Sequence, residues 1–254
     1  MKRIFTLFLT FILFMLHTAC SNSASEEPLI TATEEPSVIG VSVWDRISSR
    51  SEPRRSSAST TLLSLGESFL YLDSSAIDSA YNNTKFLKAR LSDSSIVWVY
   101  GFASVLNAKP GVITKNVPLY LRPDLLTITE SELEAMEIVA VTEEWDNWIR
   151  VVNEKKANVG WIKNDFITYN TIDLAFALLA KRKLDKDDRE EKIDAIEDLL
   201  SNNPYPNTVF IPEISERLDA EKELLREAQE NREQDGDRDR SRDRDDQDRR
   251  RRNN

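Results

Sequence analysis

The chain has 254 residues, with 34 Lys plus Arg against 44 Asp plus Glu, a formal net charge of -10, one His and one Cys. His17 and Cys20 both lie beside the apolar run at the start, so a chain cut at Cys20 keeps no histidine and one thiol. That composition excludes a Ser-His-Asp triad, a Cys-His pair, a zinc site of Cys and His, and any disulfide within one copy.

Lys2 and Arg3 are followed by Ile4 to Leu16, apolar except for Thr6 and Thr10. A basic start, a short apolar stretch and small residues before a cut predict a secretory signal over 1–19. The run falls short of the roughly 20 residues that a spanning helix needs. Leu16-His17-Thr18-Ala19-Cys20 resembles a bacterial lipoprotein box, although His17 stands where an aliphatic residue is usual and Leu16 lies one place further back. The resemblance implies that Cys20 is diacylated and holds the protein to a membrane, because two or more acyl chains give a stable anchor. Ser21 and Asn22, with no Asp after the cysteine, resemble the pattern sorted to the outer membrane, on its periplasmic or surface face. Residues 20–37, rich in Ser, Glu, Thr and Pro beyond that cysteine, are expected to form a disordered tether.

From 38 to 169 β-branched and aromatic runs alternate with polar clusters, a strand pattern. The first unit, 38–108, has Leu62-Leu63-Ser64-Leu65 before Gly66-Glu67, then Ser68 to Leu72, Phe86 to Leu91, the turn cluster Ser92 to Ser95, and Ile96 to Tyr100. The second unit, 109–169, repeats that order. Val117 to Pro123 opens it, Met136-Glu137 precedes Ile138 to Val141, Trp148 to Val152 follows, and the polar stretch Asn153 to Asn158 leads to Val159-Gly160-Trp161-Ile162. Trp98 and Trp161 take the same place, and so do Arg50 with Pro53 and Arg122 with Pro123, which marks a degenerate duplication. Each unit resembles a bacterial Src-homology-3-like (SH3-like) barrel, a family with an early Arg and Pro, then apolar-x-x-Gly-Glu, Trp-x-x-Val and Gly-Trp-Val. The second unit keeps Trp148-Ile149-Arg150-Val151 and Gly160-Trp161-Ile162 but lacks the glycine at Met136. The first keeps Leu65-Gly66-Glu67, has Val97 where the last glycine belongs, and inserts Asp73 to Thr84. Short strands with polar turns predict two small all-β units on their own account.

After Tyr169 the period becomes helical. Asn170 is a cap with Asp173 at the third position, and Ile172, Ala175, Phe176 and Leu179 form an apolar stripe. A second helix starts near Asp185 with Ile193, Ile196 and Leu199 on one face, and Pro204 stops it. Val209 to Pro212 reads as an extended piece, and a third helix begins near Glu213 with Leu218, Leu224 and Leu225. These helices, 170–230, are expected to pack on the second barrel or on each other. Residues 231–254 hold nine Arg, eight acids and no apolar side chain, which predicts a disordered Asp/Arg tail. The fold class expected is mainly β with an α C-terminus: two tandem SH3-like barrels, a helical segment and that tail.

No glycine-rich phosphate loop and no metal-ligand spacing occurs, so no cofactor, nucleotide or metal is expected. Carboxylates such as Glu143, Glu144 and Asp146 read as solvated surface, and the chain is expected not to be an enzyme. Nucleic acid is not expected as a partner of an exported chain this acidic. The segment from Val38 to Val105 is net +1, from Pro110 to Asn170 net -4, and from Thr171 to Glu230 net -7, so only the first unit suits an anionic polymer. The resemblance implies a binding module for cell-wall peptidoglycan or an envelope protein. The alternative is a non-enzymatic assembly lipoprotein that recruits a membrane complex through its helices. Aromatics near turns are the candidate contacts: Trp145, expected exposed beside a core Trp148, and more weakly Tyr120 and Tyr81.

Overall fold

The computed structural model describes residues 38–252, with side chains through Arg232 and at Gln234. The segments expected to form a secretory leader and a tether, with Cys20 between them, lie outside the described residues. The body is mainly β with a helical C-terminal part, as the residue pattern predicts. It holds two seven-stranded antiparallel sheets.

The first sheet contains β1 (Ile39–Ser42), β2 (Ile47–Arg50), β3 (Ser59–Leu63), β4 (Ser68–Asp78), β5 (Thr84–Arg90), β6 (Ile96–Tyr100) and β7 (Ser104–Leu106), in the order β3-β2-β6-β5-β4-β1-β7. The second contains β8 (Lys109–Ile113), β9 (Val117–Tyr120), β10 (Ile128–Leu133), β11 (Ile138–Trp145), β12 (Trp148–Val152), β13 (Val159–Lys163) and β14 (Ile167–Thr168), in the order β10-β9-β13-β12-β11-β8-β14. Each strand of one sheet has its counterpart in the other, so the duplication extends to topology. Trp98 lies opposite Arg50 and Lys88, and Trp161 lies opposite Tyr120 and Arg150. The two tryptophans are therefore equivalent. The equivalence of Arg50 with Arg122 is corrected by two residues, because Arg50 matches Tyr120. Strand β9 ends at Tyr120, which leaves Arg122 exposed in the loop beyond it.

The turn before the third long strand is shared as well. Gly66 has φ +79° and Met136 has φ +70°, so methionine occupies the left-handed position where the first unit has glycine. In each unit the following glutamate accepts a backbone N–H, Glu67 from Ser64 at 2.8 Å and Glu137 from Glu134 at 3.2 Å. Met136 is 7% exposed, and burial of its side chain offsets a conformation unfavourable to L residues. The insert predicted between strands continues β4 instead, past an irregularity between Tyr71 and Ser75, and closes a long hairpin whose turn places Asn82 and Asn83 at positive φ.

Each sheet encloses its own core. Leu63, Phe69, Leu87, Ala89, Val97 and Val99 fill the first, and Val117, Leu119, Leu133, Val139, Ile149 and Ile162 the second. Val41, Val43, Ala108, Ala140 and Val152 join the two units.

Three helices follow: α1 (Thr171–Leu184), α2 (Arg189–Ser201) and α3 (Ile211–Arg252). Asn170 and Asp188 cap the first two by accepting the Ile172 and Glu191 amides, both at 2.9 Å. The buried stripe of α1 is Asp173, Phe176, Ala177 and Ala180, one residue away from the predicted stripe, and Ile172 is exposed. The cause is Asp173, whose carboxylate is 1% exposed and accepts hydrogen bonds from Thr168 Oγ1 and Thr208 Oγ1, both at 2.9 Å, and from Val209 N at 3.0 Å. The helices do not rest on the second unit alone. Their core combines Phe176, Ile196, Leu199, Phe210 and Ile214 with Leu65 of the first unit and Val112, Met136 and Ile138 of the second. Arg182 grips the first unit, donating to Asp45 Oδ2 at 3.0 Å, Asp45 Oδ1 at 2.7 Å and Ser64 Oγ at 3.0 Å. Arg217 donates to the Ala135 carbonyl of the second at 2.8 Å.

Helix α3 starts at Ile211, within the piece expected to be extended, and Phe210 is buried before it. Its backbone continues helical to Arg252 through the stretch predicted as a disordered tail. No helix among the described residues is long and apolar enough to cross a membrane.

Candidate functional site

The first unit forms a groove between the β2–β3 loop (51–58) and the β4–β5 hairpin. Arg50 supports the loop from its strand: Nη1 donates to the Ser57 carbonyl and Nε to the Tyr100 hydroxyl, each at 3.1 Å. Ser57 Oγ donates to the Arg54 carbonyl at 2.8 Å and closes the loop on itself. Asp78 fastens loop to hairpin. Its Oδ2 accepts the Arg55 amide at 2.9 Å and its Oδ1 the Ala80 amide at 3.2 Å. The Arg55 guanidinium lies over the Tyr81 ring, 3.8 Å from its centroid, a cation–π distance. Pro53, Arg54, Arg55, Ile77, Asp78 and Tyr81 line a cavity of about 850 Å³. Tyr81 is 40% exposed and Ile77 is 65% exposed, so the groove offers apolar surface beside its charges.

The second unit arranges the corresponding elements differently. Trp145 and Trp148 face each other across the β11–β12 hairpin. Trp148 is 5% exposed and Trp145 67% exposed. The Tyr120 ring meets Trp148 edge to face at 5.0 Å, and Lys163 Nζ stands 3.9 Å from the Trp148 centroid. Tyr120 is half-buried, and its position is closer to a support for Trp148 than to a free contact. The loop after Tyr120 carries exposed Leu121, Leu125 and Leu126, and Asp124 Oδ1 accepts the Leu126 amide at 3.0 Å. The hairpin is acidic, and its carboxylates at Glu143 and Glu144 pair with Arg150 at 2.6 Å and Lys109 at 2.5 Å.

Tyr81 and Trp145 therefore lie on the same hairpin of the repeated unit, and each is exposed. The structure brings Trp145, Trp148 and Tyr120 together in the second unit and keeps Tyr81 in the first. Cys20, the predicted lipid attachment point, lies outside the described residues. Sequence reasoning missed Arg54, Arg55 and Asp78. The available signal was the Arg54-Arg55 pair in the one folded segment without an acidic excess.

A second concavity of about 350 Å³ sits where Leu65, Met136, Glu137 and Glu154 meet Lys181 and Arg217 of the helices. Its charges are already matched: Lys181 Nζ is 2.8 Å from Glu154, and Arg217 binds Glu213 at 2.8 Å as well as the Ala135 carbonyl. Among the described residues no group of three or more His, Cys, Asp or Glu is placed to hold a metal ion.

No family model matches the chain. No curated protein matches it. Among solved structures it is similar to NlpC2 from Trichomonas vaginalis, at 13% identity over 65% of this chain and 56% of that one, with a TM-score of 0.23. It is also similar to NlpC1 from the same organism, at 15% identity over 59% of this chain and 55% of that one, with a TM-score of 0.24. The chain thus spans just over half the length of these structures. The expectation that the chain is not an enzyme is withdrawn, because it rests only on what the composition lacks. Excluding the histidine and thiol mechanisms does not exclude catalysis. Likeness at such TM-scores transfers neither an activity nor a catalytic residue to this chain.

Proposed function

We propose that this protein is an exported, lipid-anchored binding protein whose two SH3-like units hold cell-wall peptidoglycan or a protein of the wall. One observation carries this reading: the duplicated fold presents an exposed aromatic on the same hairpin in both units, Tyr81 in the first and Trp145 in the second. A large exposed ring gives contact area at little conformational cost. Phe102 and Tyr169 are exposed as well, at 48% and 41%, but Tyr81 and Trp145 recur on one hairpin of the duplicated fold, which favours a contact role over packing. The leader, the cysteine at position 20 and the order of Trp and Gly motifs support an envelope location and this ligand class. Cys20 is the attachment point in this reading, and the outer membrane is the membrane occupied.

The test is retention of the full-length protein, in mild detergent, on purified peptidoglycan. Retention at 50 mM salt is the expected result, and passage of all the protein through the polymer counts against the proposal. Intact mass of the protein from cells tests the anchor. A diacylated species starting at Cys20 is expected, and an unmodified mass removes the lipid from the account.

A further inference from the structure

The corresponding loop and hairpin of the two units differ in charge, and the difference identifies what the groove of the first unit takes. Among the described residues, neither Arg54 nor Arg55 has a carboxylate partner for its guanidinium. The nearby acid, Asp78, already uses one oxygen on the Arg55 amide and the other on the Ala80 amide. Two cations therefore face solvent from one loop of a chain whose net charge is -10. Stacking on Tyr81 covers one face of the Arg55 guanidinium and leaves its N–H fork available to an acceptor in the plane. In the second unit the corresponding hairpin carries Glu143, Glu144 and Asp146, and the loop carries a single arginine, Arg122, beside Asp124. A site that had arisen only as surface charge in an acidic chain would be expected to follow the acidic bias.

We infer that the first groove binds an acidic peptide segment, with carboxylates on Arg54 and Arg55 and an apolar side chain against Ile77 and Tyr81. Planar guanidinium forks match carboxylates in two-point contacts. Alternation of cation and exposed apolar surface fits a peptide better than a phosphate polymer, which would leave Ile77 and Tyr81 without use. A cavity of about 850 Å³ accommodates a few residues. The inference rests on the proposed binding role and names the ligand chemistry of one of its two units.

The experiment uses the full-length protein and three probes: a blocked Asp-Leu-Glu peptide, the same peptide as Asn-Leu-Gln, and inorganic polyphosphate. The expected outcome is binding of the acidic peptide that weakens at least about tenfold in the amide version and in the Arg54→Gln/Arg55→Gln variant. A melting temperature equal to the parent's shows that the double variant is folded. Equal binding of the acidic and amide peptides overturns the inference, as does undiminished binding by the folded double variant. Polyphosphate binding that exceeds peptide binding overturns it too. If peptidoglycan is not retained but the acidic peptide binds, the proposed function falls and the inference stands. If peptidoglycan is retained equally after its carboxyls are amidated, the inference falls and the proposed function stands.

Discussion

Replacing Arg182 by methionine should uncouple the helical segment from the first β unit in a measurable way. The guanidinium makes two hydrogen bonds to Asp45, at 2.7 and 3.0 Å, and one to Ser64 Oγ at 3.0 Å. The Asp45 side chain is 14% exposed and that of Arg182 32% exposed, so water replaces these contacts only in part. Charge-assisted bonds in such a setting contribute about 1.5–3 kcal/mol together, and methionine keeps the packing of the aliphatic stem. For a folded body of this size, a loss of about 2 kcal/mol lowers the melting temperature by about 4–8 °C. Burial raises the Asp45 pKa, but the Arg182 guanidinium and the Leu65 and Arg46 amides outweigh it and hold the carboxyl below the usual range. A group whose folded pKa is depressed contributes stability above its unfolded pKa, about 3.9, and loses it as pH falls through the folded value. The gap between parent and variant should be full at pH 7 and shrink on acidification below about pH 4. Thermal unfolding by circular dichroism at pH 7 and pH 3 reads both effects. A shift under 1 °C at pH 7, or a gap equally large at pH 3, would refute the reasoning.

Gly66→Ala should destabilise by about 2–4 kcal/mol, because φ is +79° and the new Cβ would lie 2.9 Å from Ile138 Cγ2 and 3.4 Å from Leu174 Cδ1. Urea unfolding measures it, and a change under 0.5 kcal/mol contradicts the packing argument. Trp148→Ala should cost about 3–5 kcal/mol while Trp145→Ala stays within about 0.5, given 5% and 67% exposure. Equal costs would mean that the hairpin is assigned to the wrong face. Asp173→Ala should cost about 3 kcal/mol by stranding the Val209 amide and two threonine hydroxyls, whereas Asp173→Asn, which keeps an acceptor, should cost about 1.

Strands dense in β-branched and aromatic residues were legible from sequence to the residue. Ile96–Tyr100 and Trp148–Val152 have the predicted bounds because each carries enough apolar side chain to define its own face. Strands such as Ile47–Arg50 and Lys109–Ile113 were not, since the first has one apolar residue and the second contains Pro and Gly. Their pairing comes from neighbours distant in sequence. The one-residue error in the α1 stripe has the same origin: Asp173 is buried by Thr208 and Val209, 35 and 36 residues away. The sequence placed Met136 where the first unit has its glycine, but not its positive φ, because a left-handed methionine has no local signature. Of the candidate site, the split between core Trp148 and exposed Trp145 was readable from their spacing around a turn pair. The Arg54–Arg55 groove was not, because Asp78, which ties loop to hairpin, lies 23 residues from Arg55.

The most direct test of the binding account compares the parent with a Tyr81→Ala/Trp145→Ala double variant on purified peptidoglycan. Both rings are exposed, so the variant should melt within about 2 °C of the parent. The account predicts that the folded variant loses most of its retention on the polymer. Retention equal to the parent's would contradict the assignment of these two hairpins as the binding surface.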